Sequence, residues 1–238
     1  ELFMNYLKKN ALLIIIMFAL IFVSFQAGSM YKELTLLRDG SGILPALGLD
    51  DNVPGAQAFN VDDVVPITDR DNVMGNRDAK ISLIEYSDYE CLYCKTFHTT
   101  AERVVAEFDG EVKWAYRHFP IESIHPNAKG TAIAAECVRE NGSNDLFWTF
   151  TREVFDGAPQ DEASLISVAA NLGVDITSCV VNEESVGKVE DDIASAFKAG
   201  ITGTPGNILL NEDTGEAVLI PGALPQAQLT QAIENLMK

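Results

Sequence analysis

The stretch "SDYECLYCKTFH", Ser87 to His98, sets Cys91 and Cys94 two residues apart, with Leu92 and Tyr93 between them. Such a pair serves as a redox centre, supplies half of a zinc site, or packs incidentally in a core. Its surroundings decide. Upstream, "ISLIEY" (Ile81 to Tyr86) alternates, which predicts a strand with Ile81, Leu83 and Glu85 on one face. Downstream, Phe97, Ala101, Val104, Val105 and Phe108 recur at helical spacing until Gly110 stops the pattern. Glu111 to Phe119 alternates Val112, Trp114 and Tyr116 and is a second predicted strand. The cysteines therefore sit where a strand turns into a helix.

That junction puts Cys91 at the first turn, where free N–H groups and the helix dipole favour a thiolate. Asp88 and Glu90 oppose it. At ~7 Å in a water-like dielectric each carboxylate costs the thiolate roughly 0.6 kcal/mol, under half a pKa unit. The helix terminus prevails unless both acids point at the sulfur. Cys94, one turn further in, is shielded and suited to resolving a mixed disulfide. Zinc requires four ligands. His98 shares the helical face of Cys94 and is a conceivable third, but Cys137 and Cys179 lie too far apart to form a second close pair. Haem attachment requires a histidine directly after the second cysteine, where Lys95 stands. The redox reading prevails, and it implies neither a metal nor a dissociable cofactor. Glu85 has two readings. It is an edge residue facing water, or a desolvated carboxyl of raised pKa that relays a proton to or from Cys94.

The rest of the chain fits an α/β domain. From Pro126 to Gly200 the pattern is helical. Leu165, Val168, Ala169 and Leu172 form one apolar stripe, and Val186, Val189, Ile193, Ala196 and Phe197 form another. Two short strands then flank "NEDTG", and Leu229, Ala232, Ile233 and Leu236 mark a closing helix. The order β-α-β, helical block, β-β-α is a thioredoxin-like topology with helices inserted over about 122–200. Cys137 and Cys179 are expected to form a second, non-catalytic disulfide joining two helices of that block, the alternative being two buried free thiols.

Among 238 residues the formal charge is −18, which disfavours nucleic acid as a partner. Residues 1–32 read as a transmembrane segment. No side chain is charged from Asn10 to Tyr31, a helix of that length crosses a ~30 Å hydrocarbon layer, and Lys8 and Lys9 place the N-terminus on the cytoplasmic side. A cleaved signal peptide is the rival, with small residues at Ala27-Gly28-Ser29. A buried core helix is the blander alternative. The first two readings place the remainder outside the cytoplasm, anchored at the cell membrane or secreted, where cysteines tend to pair. Residues 33–72, rich in Gly, Pro and Asp, read as a flexible acidic linker, and 73–238 as the folded domain.

The segment "MGNRDAKISLIEYSDYECLYCKTFH" resembles the entry of the DsbA-like thioredoxin-fold oxidoreductases, of the membrane-anchored bacterial type. "RHFPIESIHPNAKGTAIAAECVRENG", "LFWTFTREVF" and "GITGTPGNILL" resemble that family's later landmarks in the same order. The resemblance implies that Cys91 is the nucleophile, Cys94 the resolving thiol and Glu85 the buried acid beneath them. It implies that Thr204 and Pro205 form the family's cis-proline loop, which holds substrate beside the disulfide. His118 and His125 belong to a structural segment in family terms. The implied function is to introduce disulfides into reduced or unfolded exported proteins, with reoxidation by a quinone-linked membrane partner. Leu92-Tyr93 replaces the proline and histidine that many members carry between the cysteines, so a reductase or isomerase stays open. A non-redox binding or chaperone module on the same fold is the alternative from a different class.

Overall fold

The computed structural model describes residues 60–179 and 183–238. The expected membrane segment and most of the expected linker lie outside these residues. No helix among the described residues is long and apolar enough to cross a membrane.

Five strands form one mixed sheet in the order β1-β3-β2-β4-β5: β1 (Asn72–Gly75), β2 (Ile81–Ser87), β3 (Val112–His118), β4 (Gly206–Asn211) and β5 (Ala217–Pro221). The parallel β2–β3 pair is joined by α1 (Leu92–Glu107), as the alternation and helical spacing around the cysteines predict. The other pairings are antiparallel. Both central strands are buried along their whole length, which their Val, Ile, Trp and Tyr content permits.

Between β3 and β4 come α2 (Ala128–Asn141), α3 (Asn144–Asp156), α4 (Glu162–Asn171) and α5 (Glu183–Lys198), and α6 (Gln226–Leu236) closes the chain. Leu83, Trp114, Tyr116 and Leu209 on one sheet face pack with α1, α6 and the inserted block. Ile84, Tyr86, Ala115 and Ile208 on the other face pack with the end of α5 and with Val64.

Three features depart from the sequence reading. The fold takes in residues ahead of 73: Val64, Asp71 and Asn72 are buried, and Asn72 opens β1. Asp71 pairs with the buried Arg117 (Nε–Oδ1 2.9 Å), whose guanidinium also donates to the carbonyls of Val65 and Pro66. That pairing holds a hydrophilic stretch against the sheet. On α5 the buried face carries Lys188 and Asp192 beside Val189 and Ala196, whereas Phe197 is exposed and leans on Phe119. Lys188 binds both oxygens of Asp192 and approaches Asp71 (3.7 Å), so ion pairing takes part of the place of the expected apolar stripe. Finally, Cys137 and Cys179 are joined (Cα–Cα 5.6 Å), but Cys179 lies in a turn before α5, so the bond ties a helix to a turn.

Candidate active site

Cys91 is the residue before the first turn of α1, with extended backbone (φ −76°, ψ 118°) and no side-chain cap. Its sulfur therefore meets the free N–H groups of that turn. The Cys94 thiol donates to it, the Cys94 and Tyr93 amides and the Thr204 side chain add to this, and together they outweigh desolvation and bring Cys91 down to about 5. Cys94 is fully buried, and desolvation, the donation to Cys91 and the nearby Glu85 push it far up. One sulfur is poised as a thiolate and the other keeps its proton.

Asp88 and Glu90 do not oppose this thiolate at close range, because both are engaged elsewhere. Asp88 accepts from the amides of Glu90 and Ile121 and from His125 Nδ1, at 2.7–2.9 Å. Glu90 accepts from the Asn127 amide (2.8 Å), its side chain (3.0 Å) and the Ala128 amide (3.1 Å), capping α2. The acids thus fasten the cysteine loop to the segment after β3. The inserted block braces it from another side, through Tyr89 Oη to Thr151 Oγ1 (2.8 Å) and Gln160 Nε2 to the Tyr89 carbonyl (3.1 Å).

Glu85 is fully buried and lies on the sheet face beneath α1, not at a wet edge. Burial pushes its carboxyl up to about 8, while Ser87 and Trp114 act in the opposite direction and the neighbouring Cys91 adds to the rise. The Thr204–Pro205 peptide is cis, and the Thr204 carbonyl lies 3.5 Å from the Cys91 sulfur. The Pro205 carbonyl accepts from the Gly222 amide (3.0 Å), bracing the loop from β5. Of the two glycines around this loop, Gly206 is the one close packing demands. A Cβ there would meet Ile201 at 2.5 Å, whereas at Gly203 nothing lies within 4 Å.

The remaining sequence candidates stand apart from the sulfurs. His98, weighed as a zinc ligand, is buried among Trp114, Trp148 and Phe155 (ring centroids 5.0, 6.0 and 5.1 Å), and burial brings it down to about 3. His118 Nε2 contacts Glu136 Oε1 (2.8 Å), and His125 holds Asp88, both as structural anchors. Phe147 and Trp148 are core. Sequence reasoning missed the anchoring role of Asp88 and the placement of Ser87 on the Glu85 face. The second was visible in the alternation of "ISLIEYS".

The model of the thioredoxin family matches residues 68–234. The chain belongs to the thioredoxin family. Among solved structures, a thioredoxin-like oxidoreductase from Silicibacter pomeroyi is 25% identical, with a TM-score of 0.61 over 71% of this chain and 94% of that one. DsbA2 of Pseudomonas aeruginosa (24% identical, TM-score 0.58, 71% and 94%) and oxidised BdbD of Bacillus subtilis (22%, 0.60, 74% and 97%) share the fold. Curated relatives include the Na(+)/H(+) antiporter NhaA 3 of Salinispora tropica, 31% identical over 158 residues, and NhaA 1 of Mycolicibacterium vanbaalenii, 33% identical over 143. These matches cover 63% and 58% of this chain but 23% of each relative, so the chain spans about a quarter of their length. Within the thioredoxin family its fold is DsbA-like, a thioredoxin sheet with a helical block inserted between β3 and β4.

Proposed function

We propose that this thioredoxin-family domain works outside the cytoplasm and donates disulfides to reduced, exported proteins. The observation that carries this reading is the asymmetry of the pair. A Cys91 thiolate stabilised to about 5 favours the reduced centre, and a centre stabilised when reduced is an oxidant. In the oxidised domain a substrate thiolate attacks Cys91. The Cys91–Cys94 bond breaks, Cys94 leaves as a thiolate and takes a proton that Glu85 supplies. A second substrate thiolate then attacks the substrate sulfur of the mixed disulfide and releases Cys91. The substrate has lost two electrons and the centre has gained them.

Thr204 and Pro205 hold the substrate backbone beside Cys91, and exposed Leu92, Tyr93 and Ile124 offer it apolar contact. Cys137–Cys179 serves structure alone. Residues 1–32 supply the membrane anchor or a cleaved signal, the stretch from 33 to the start of the fold near Val64 the tether, and a quinone-linked membrane protein reoxidises the pair. The transport activity named for the antiporter relatives is not assigned to this chain. The deciding measurement is the reduction potential of Cys91–Cys94 against glutathione. A value above about −180 mV fits the donor, and one near about −270 mV makes the domain a reductase.

A further inference from the structure

The register places Glu85 directly opposite Tyr116 on β3, and Ser87, two residues along β2, on the same face at the strand's end. All three are essentially sealed from solvent, with 0–1% exposure. Neither oxygen of Glu85, nor Ser87 Oγ, nor Tyr116 Oη has a hydrogen-bond partner among the described residues. Buried polar atoms left without partners cost stability, and cores rarely keep several side by side. Here they lie side by side under the redox pair. Asp88, the residue after Ser87, points its amide at Cys94 Sγ (3.5 Å), which fixes that sulfur over the same strand end. Ser87 shares the face of Glu85 and Tyr116 and adjoins Asp88, so it stands between those two side chains and the Cys94 sulfur.

We propose that Ser87 and Tyr116 complete the proton path of the redox centre, Ser87 passing a proton between Glu85 and Cys94 and Tyr116 donating a hydrogen bond to Glu85 once it is ionised. This rests on the reading of Glu85 as the proton source. When Cys94 leaves as a thiolate, Ser87 gives it its hydroxyl proton and takes the Glu85 proton in the same movement, ending unchanged. The new carboxylate then has Tyr116 beside it as donor, where burial alone gives an anion nothing. The ionisable groups acting on this space are Cys91 at the start of α1, Cys94 from α1, Tyr116 from β3 and Tyr89 from the preceding loop; behind Tyr116 stands the His118–Glu136 pair. Ser87 acts on the reacting Cys94 sulfur itself, whereas Tyr116 is a positioning residue that acts only through Glu85.

The test follows reduction of the oxidised full chain by dithiothreitol across pH 5 to 9, with urea stability measured in parallel. Ser87→Ala is expected to slow reduction about a hundredfold, at the low end of what a proton-transfer group contributes, and Ser87→Thr to restore most of the rate. Tyr116→Phe is expected to raise the Glu85 midpoint by about half a pH unit to one unit, because the ionised form loses its donor. Neither Ser87→Ala nor Tyr116→Phe should lower the folding equilibrium constant by more than about fivefold, about 1 kcal/mol, since neither hydroxyl makes a hydrogen bond of good geometry. A parent-like rate in Ser87→Ala, or a parent-like Glu85 midpoint in Tyr116→Phe, overturns the proposal. Glu85→Gln separates the two layers. If it abolishes the pH dependence while the hydroxyl variants behave like the parent, the proton path through Ser87 and Tyr116 fails alone. If it too leaves the profile unchanged, the Glu85 reading falls and the proposal with it.

Discussion

At Glu85 the fold keeps a carboxyl that its stability does not need. The group titrates near 4.5 in an ordinary setting and about 8 here. Below pH 4.5 both folded and unfolded chains hold the proton. Between there and pH 8 only the folded domain does, so its contribution to stability declines as pH rises and then levels off. Glu85→Gln should therefore stabilise the reduced domain by about 2–4 kcal/mol at pH 7 and by almost nothing at pH 4, measured by urea unfolding. Cys91 shifts the opposite way. Iodoacetamide at pH 6 to 7 should label Cys91 well before Cys94, and equal labelling would remove the assignment of Cys91 as nucleophile. Both cysteines, Glu85 and Pro205 were legible because each carries a local signature: a two-residue spacing, an alternating strand, a family-like "GTPG". The engagement of Asp88 was not. Its partners Ile121 and His125 come from beyond β3, and no local pattern announces them.

Among the elements, legibility followed how far an element's own pattern explains its burial. Strand β2 and helix α1 are largely apolar where they pack, and their periods declare them. The four-residue β1 carries too short a pattern, and Asn72 is held in place by the side chain of Glu136 (2.6 Å). On α5, Lys188 and Asp192 are buried through charges that Asp71 and Arg117 bring from other elements, which a helical period cannot display. The turn bearing Cys179 is likewise fixed from outside, by its bond to Cys137 on α2. Replacing both cysteines with alanine should cost about 2–4 kcal/mol in chemical unfolding. It should leave the reduction potential of Cys91–Cys94 unchanged, and a shifted potential would mean that the second bond also tunes the first.

As a whole molecule, the domain is a thioredoxin sheet whose inserted helices do more than widen it. They supply Thr151, and the loop between α3 and α4 supplies Gln160, to steady the cysteine loop, and α2 receives the cap from Glu90. The order of the elements was readable, since it rests on where strands and helices alternate. The N-terminal limit was not, because it depends on one long-range pair, Asp71 with Arg117. A chain beginning at residue 73 strands the Arg117 guanidinium in the core without its carboxylate. It should lose about 3–5 kcal/mol against a chain beginning at residue 60, read from urea midpoints.

The closed bond between Cys137 and Cys179 lies at 0% and 4% exposure, out of reach of any incoming thiolate. That seclusion exists only after folding. A newly made copy presents four thiols, two of which must become a permanent bond while the other two must stay exchangeable. On the donor reading, a mature oxidised copy is an oxidant suited to making that bond. The protein is then a client of itself, and its maturation should be autocatalytic. Catalytic amounts of folded, oxidised chain added to reduced, denatured chain should speed recovery of the Cys137–Cys179 bond, and a folded Cys91→Ala chain should not.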